Sequence, residues 1–157
     1  MPNLKTRWPL ATAEAVAQEL MELLAPACAR IAVAGSIRRK RPDPSDIELL
    51  CIPIPIREMS FYQDALDQFV RGGQQVLATR PSRKGIMTYG AKNKLLLHLP
   101  SGIPVDVFSA DERNWGLSLL VRTGPAEFNI RYMAHLKALG RAGHAYGGVT
   151  LEDGTDL

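Results

Sequence analysis

A carboxylate within an apolar strand is the feature that most limits what this chain can become, and it occurs twice. Glu48 stands between Ile47 and the run Leu49-Leu50-Cys51-Ile52, and Asp106 is flanked by Val105, Val107 and Phe108. Both segments are short, mostly apolar and bounded by proline-containing turns, so they read as strands. An unpaired charge in such a place is costly, so each carboxylate needs a cation, an ion-pair partner or an open sheet edge. Asp46 adds to the difficulty. It lies two residues before Glu48, which puts both side chains on one face of the strand, where they repel one another. Taken singly, the three are better explained by strand ends or by ion pairs with the plentiful arginines and lysines. Taken together, they form an all-oxygen set suited to Mg²⁺ or Mn²⁺.

The remaining pattern surrounds these strands with helices. Over residues 12–24, Val16, Leu20, Leu23 and Leu24 recur at helical spacing until Pro26 stops them. A short strand, 31–34, runs into Gly35-Ser36. Ser60-Phe61-Tyr62-Gln63 has the form of a capping box, and Tyr62, Leu66, Phe69 and Val70 give the stripe of a second helix ending at Gly72-Gly73. Residues 76–79 read as a strand, and 94–99 and 103–110 as two more around the turn Pro100-Ser101-Gly102. From Asp111 the chain turns helical, with Trp115, Leu119 and Leu120 on one segment. After Gly124-Pro125 a last helix carries Phe128, Tyr132, Leu136 and Leu139 on one face, Phe128 being assigned to the core. The tail after Gly143 has no assignable pattern. The expected fold is mixed α/β: a sheet flanked by helices over 1–110, and a small helical C-terminal lobe over 111–157.

A chain of 157 residues suits one domain with such a lobe, and 46% hydrophobic with 22% charged residues is ordinary for a soluble protein. The net charge of +3 is unevenly spread. Arg38, Arg39, Lys40 and Arg41 are consecutive, and Arg80, Arg83, Lys84, Lys92 and Lys94 form a second group. Such clusters suit phosphate-bearing partners, although many are simply solvated surface. Cys28 and Cys51 lack the spacing of a zinc site and read as reduced, buried small residues. His98, His135 and His144 make no metal pattern, and His98 reads as a satisfied strand residue. There is no apolar signal core at the start and no run of membrane-spanning length, so a cytoplasmic, unexported protein without a membrane partner is expected.

What precedes Asp46 gives the carboxylates a chemistry. Gly35-Ser36 follows a strand directly, and Arg38-Arg39 come next. Glycine lets a backbone approach a phosphate, serine offers a hydroxyl, and arginine a forked donor matched to phosphate oxygens. A phosphate cradle just ahead of paired carboxylates is what nucleotidyl transfer requires.

Gly35-Ser36-Ile37-Arg38-Arg39, followed by Asp46 and Glu48, resembles the phosphate-binding and metal-binding segment of family X DNA polymerases, the polymerase beta type. Val105-Asp106-Val107 is similar to the strand of the third carboxylate. Thr123-Gly124-Pro125-Ala126-Glu127-Phe128-Asn129 resembles the turn and helix start where the family's thumb meets the incoming nucleotide. Arg7-Trp8-Pro9-Leu10 resembles the segment before the first palm helix, and Arg83-Lys84-Gly85 a DNA-contacting turn. The resemblance spans roughly residues 5–150. It implies a nucleotidyltransferase palm with a thumb. Asp46 and Glu48 would bridge two Mg²⁺ ions, with Mn²⁺ as a possible substitute, and Asp106 would bind the catalytic one. Gly35, Ser36, Arg39 and Arg7 would hold the triphosphate. Thr123, Gly124 and Asn129 would contact the nucleotide, and Arg83, Lys84, Lys92 and Lys94 the DNA.

The chain also departs from the family. Glu48 stands where aspartate is usual, a form shared with aminoglycoside nucleotidyltransferases. Val121-Arg122 replace aromatics before the thumb turn, Met133 replaces a thumb arginine, and Pro104 stands where an arginine often precedes the third carboxylate. Nothing resembles the lyase or helix-hairpin-helix domains, so a reduced short form is implied. The expected function is template-directed addition of a deoxynucleotide to a primer 3′-hydroxyl, in gap filling or repair, by a monomer. The partners would be a DNA primer-template and a deoxynucleoside triphosphate. One alternative is nucleotide transfer to a small molecule, protein or RNA end. A second is a catalytically inactive nucleotide-binding module.

Overall fold

Alternation along β2 (Ile47–Pro53) determines how the molecule is layered. Ile47, Leu49 and Cys51 point to one face and Glu48, Leu50 and Ile52 to the other. The computed structural model describes residues 5–57, 59–144 and 148–151. Within them, β2 lies inside a five-stranded sheet with β1 (Cys28–Ala34), β3 (Leu77–Thr79), β4 (Asn93–His98) and β5 (Pro104–Ser109), in the order β1-β2-β5-β4-β3. The β2–β5 pairing is parallel and the others antiparallel, so the sheet is mixed.

On the first face, α1 (Leu10–Leu24) buries Ala13, Val16, Ala17, Leu20 and Leu24 against Ile47, Leu49, Leu96, Val105 and Val107. Ala25–Ala27 forms a 3₁₀ turn with Pro26 in its first turn, where a missing N–H is harmless. The helix α3 (Ala65–Arg71) adds Leu66 and Val70 to the same core. The second face is covered only in part, by α4 (Trp115–Thr123), whose Trp115 packs with Leu50, Ile52 and Phe108. The sheet carboxylates lie on this less covered face. The one-turn α2 (Gly35–Arg38) joins β1 to the loop before β2. Last come α5 (Ala126–Ala138) and the hairpin of β6 (Arg141–His144) and β7 (Gly148–Leu151).

Several expectations need correction. The C-terminal segment is not purely helical, since β6 and β7 pair in a two-stranded sheet. The capping box at Ser60 does not start a helix: Ser60 Oγ accepts from the Tyr62 N–H, whereas the Asp64 side chain caps α3 by accepting from the Asp67 N–H at 2.8 Å. Tyr62 therefore precedes the helix, and Phe61 is fully exposed. Phe128 is 43% exposed rather than in the core, because α5 packs chiefly through Leu136.

Lys94 is also corrected. Its alternation places it with Leu96 and His98 on the helix-covered face, and its side chain is buried. Lys94 Nζ donates to the Gly90 carbonyl at 2.8 Å and lies 5.0 Å from the Tyr89 ring centre. Burial lowers its pKa, against the opposing pull of Asp64 and Asp67. It cannot meet DNA from there; it belongs to a structural polar network. Asp67, wholly buried, accepts from Tyr89 Oη at 2.6 Å and from the Gln63 N–H at 2.9 Å, with Arg71 at 3.7 Å. Burial pushes the Asp67 pKa up, but the Tyr89 and Gln63 hydrogen bonds and Arg71 together bring it below the ordinary 3.8.

Tyr89→Phe removes one donor from this buried carboxylate and should cost about 2 kcal/mol in urea unfolding, whereas Arg83→Ala on the surface should stay within about 0.5 kcal/mol. Because the Asp67 pKa is lowered by folding, its contribution is present above the unfolded value and is lost as the pH falls through the folded one. The Tyr89→Phe deficit should therefore be full at neutral pH and shrink in acid below the ordinary aspartate range. A deficit unchanged at low pH would show that Tyr89 stabilises by packing alone.

Candidate metal centre

Parallel pairing of β2 with β5 puts Glu48 directly beside Asp106 in the register, with side chains on the same face. Asp46, just before β2, completes the group: one oxygen from each of Asp46, Glu48 and Asp106 lies within 4.8 Å of the others. All three carboxyl groups are partly buried, and all three have raised pKa values. For Glu48 burial is the main cause, followed by the charges of Asp46 and Asp106, and its pKa rises to about 7. For Asp106 burial again leads, opposed by Arg80 and reinforced by Asp46, and its pKa is about 6. Asp46 is raised by burial against Arg80 and Arg39. Hard oxygen donors that repel one another in a poorly hydrated place suit a divalent cation, which would relieve both the burial and the repulsion. The donor set fits Mg²⁺ or Mn²⁺.

Gly35 explains how the longer Glu48 is accommodated. The glycine has a φ of +63°, in the region that side chains disfavour, and a Cβ added there would lie 3.0 Å from Glu48 Cδ and 3.1 Å from Glu48 Oε2. The glutamate thus folds under the Gly35-Ser36 turn in space that the missing Cβ of glycine leaves open.

Two clefts meet at Asp46. The first, of about 200 Å³, is lined by Ser36, Arg39, Arg7, Lys5 and Arg41 together with Asp46 and Glu48. Here the expected Ser36, Arg39 and Arg7 come together, while Gly35 lies beside Glu48 and not in the cleft lining. Arg7 also donates to the Asp43 carbonyl at 3.1 Å. Arg41, from the consecutive basic run, joins them, and Lys5 is an addition that the charge pattern does not single out. Arg38 instead turns away, toward the Val33 carbonyl at 3.4 Å. The second cleft, of about 660 Å³, is lined by Asp46, Asp106, Arg80, Arg83, Lys84 and Trp8, among others. Arg83 and Lys84 occupy a turn in which the Ser82 N–H donates to the Ile86 carbonyl at 2.7 Å. Lys92 does not join them; it lines a separate cavity with Asp64 and Asp111.

The α4–α5 turn reaches the first cleft through Arg39, whose Nη1 donates to the Thr123 carbonyl. Gly124 has φ +67° and its Cβ position is 3.2 Å from Arg39 Nη1, so glycine is required there as well. Asn129 directs Nδ2 to the Val121 carbonyl at 2.8 Å. The side-chain oxygens Thr123 Oγ1 and Asn129 Oδ1 are buried without a hydrogen-bond partner. Two further guanidinium groups were not foreseen. Arg80 bonds Asp106, and Arg122 lies over the Phe108 ring at 4.0 Å, where its charge lowers the pKa values of Glu48 and Asp106. Among the described residues, no helix is long and apolar enough to cross a membrane. No protein-family model matches the chain, and no curated protein is significantly similar to it.

Raised carboxyl pKa values stabilise the protonated folded form. Stability from Glu48 and Asp106 is therefore greatest below their unfolded values and declines as the pH rises through about 6 to 7. The melting temperature of metal-free protein should fall between pH 5.5 and 8 by roughly several degrees. Added Mg²⁺ or Mn²⁺ should recover more of it at pH 8 than at pH 5.5, because the metal competes with protons. Equal recovery at both pH values would rule out metal binding by these carboxylates.

The fit of Glu48 under Gly35 predicts a coupling. Gly35→Ala alone should destabilise by about 1–2 kcal/mol from its positive φ and displace Glu48. Glu48→Asp withdraws the atoms nearest that Cβ, so adding it to Gly35→Ala should relieve part of the loss. A double-mutant cycle on urea unfolding should show non-additivity of about 0.5 kcal/mol or more; strict additivity would mean the two residues do not share the space.

Proposed function

We propose that this chain is a metal-dependent nucleotidyltransferase of the family X DNA polymerase type, adding a deoxynucleotide to a primer 3′-hydroxyl. The observation that carries the reading is the position of Asp46. It forms part of the wall of both clefts, one narrow and rich in cations, the other wide and open. Nucleotidyl transfer needs this division, with a polyphosphate on one side, a nucleophile on the other, and the reacting phosphorus between them. The sheet and its flanking helices would then be a palm, and α4 and α5 the core of a thumb.

In the narrow cleft, Arg39, Arg7, Lys5 and Arg41 match the charge of a triphosphate, and the Ser36 hydroxyl donates to a phosphate oxygen. Asp46, Glu48 and Asp106 would hold two Mg²⁺ ions, with Asp106 serving only the one nearest the acceptor. Bound there, the metal would lower the pKa of the acceptor hydroxyl and neutralise charge on the attacked phosphoryl group. The 3′-hydroxyl then attacks the α-phosphorus, the bond to the bridging oxygen breaks, and pyrophosphate leaves among the narrow cleft's cations. Arg83 and Lys84 supply backbone contacts on the acceptor side, which fix the position of a nucleic acid without reading its sequence.

A second reading, transfer to a small molecule, protein or RNA end, is favoured by Glu48 and by the openness of the acceptor cleft. Incubation with a gapped duplex, Mg²⁺ and labelled deoxynucleotides separates the two. The polymerase reading expects one-nucleotide extension of the primer. Asp46→Asn and Asp106→Asn should each lower it on the order of a thousandfold, the several kcal/mol that metal charge provides at the reacting phosphate. Label on RNA, protein or a small acceptor, with the primer unchanged, would establish the second reading. Metal-dependent nucleotide binding without any transfer would leave a binding module.

A further inference from the structure

We propose that Arg80 is a positioning residue: its guanidinium clamps Asp106 to β4 and sets how that carboxylate is offered to a metal. The inference rests on the metal-centre reading above and adds a residue and a role to it. Arg80 follows β3 directly, and three contacts fix it. Its backbone N–H donates to the Leu95 carbonyl at 3.2 Å, its Nε donates to the Leu96 carbonyl at 2.7 Å, and its Nη2 pairs with Asp106 Oδ1. The side chain is 20% exposed and that of Asp106 15%, so solvent screens the pair only in part. Arg80 also lines the wide cleft beside Asp46.

The geometry separates positioning from simple charge balance. Leu96 lies on β4 and Asp106 on β5, paired antiparallel with Leu95 opposite Asp106. A guanidinium held by a β4 carbonyl through Nε presents Nη2 in a fixed direction, because the fork is planar and rigid. One oxygen of Asp106 is thereby engaged and the carboxylate plane is set. A lysine at this position would keep the charge but could not present two coplanar donors. Within β5 the residue two before Asp106 is Pro104, which offers neither a side-chain donor nor an N–H. The clamp therefore comes from a part of the chain 26 residues away.

The clamp has two opposite consequences, which make it testable. A cation paired with Asp106 opposes a second cation on the same carboxylate, so removing it should tighten metal binding. The lost orientation should slow any reaction that needs Asp106 in place. Mn²⁺ binding to wild type, Arg80→Ala and Arg80→Lys would be measured by electron paramagnetic resonance, with melting temperatures as a check on folding. Single-turnover primer extension would follow at saturating Mn²⁺. Arg80→Ala should bind Mn²⁺ up to about tenfold more tightly yet react about ten- to a hundredfold more slowly. Arg80→Lys should bind Mn²⁺ like wild type and still react slowly.

Weaker Mn²⁺ binding together with a lowered melting temperature in Arg80→Ala would overturn the proposal, since Arg80 would then be a prop for the fold. A wild-type rate in either variant would overturn it as well. If wild type transfers nucleotides to no acceptor, the proposed function fails by itself. The Mn²⁺ comparison still decides Arg80: a changed electron paramagnetic resonance spectrum of the bound ion in Arg80→Lys, at wild-type affinity, supports the clamp, and equal affinity and an equal spectrum in all three removes it.

Discussion

The parallel pairing of β2 with β5 forces Glu48 against Asp106, and the rest of the structure supports that unfavourable contact. Parallel neighbours in register point the same way, so the two carboxylates cannot avoid each other without breaking the sheet. What holds the sheet together lies on its other face. There Ile47, Leu49, Val105 and Val107 are sealed by α1, and the burial of these side chains, each worth about 1.5–3 kcal/mol, outweighs the repulsion opposite. One face of the same two strands carries the main core, and the other carries the candidate metal ligands beside a smaller apolar cluster.

Three guanidinium groups act on the acidic cluster, and each also touches a backbone carbonyl or an aromatic ring. Arg39 is tied to the Thr123 carbonyl, Arg80 to the Leu96 carbonyl, and Arg122 to the face of Phe108. Arginine suits each task, since it can bond a carbonyl with one nitrogen and face an anion with another, or stack flat on a ring. Arg80 uses one nitrogen on Asp106 and another on the Leu96 carbonyl, so its charge is held at the cluster by the backbone as well as by the carboxylate.

The sequence carried this centre unevenly. Asp46, Glu48 and Asp106 were legible because carboxylates are anomalous in apolar strands, and Gly35-Ser36 because a strand running straight into glycine implies a tight turn. Arg80 was not legible, for its partner is remote in sequence and only the strand order brings the two together. Lys94 was misjudged by its charge, although the alternation that buries His98 buries it too. Asp64 and Ser60 are both acceptable caps, and the choice of Asp64 follows from tertiary structure, because Pro55 bridges to Asp64 and fixes where the helix begins. The β6–β7 hairpin, rich in glycine, offers too few apolar side chains for its period to be read. Phe128 shows the limit of helical spacing: it places residues on one face without saying that the face is covered.

Arg39 connects the two halves of the candidate site. Its bond to the Thr123 carbonyl joins the Gly35-Ser36 turn to the link between α4 and α5, and Gly124, at φ +67°, brings its backbone close to the guanidinium. A triphosphate would offer Arg39 charged acceptors, roughly twice as strong as a neutral carbonyl. Yet guanidinium has five N–H donors, and only one is needed at Thr123. Binding a phosphate therefore does not require letting go of the turn. A bond held by a charged phosphate group at one end and a backbone carbonyl at the other would gain strength from polarisation. The turn between α4 and α5 is thus tied to the wall of the narrow cleft through Arg39, and a change in how Arg39 is held would be felt first at Thr123 and Gly124.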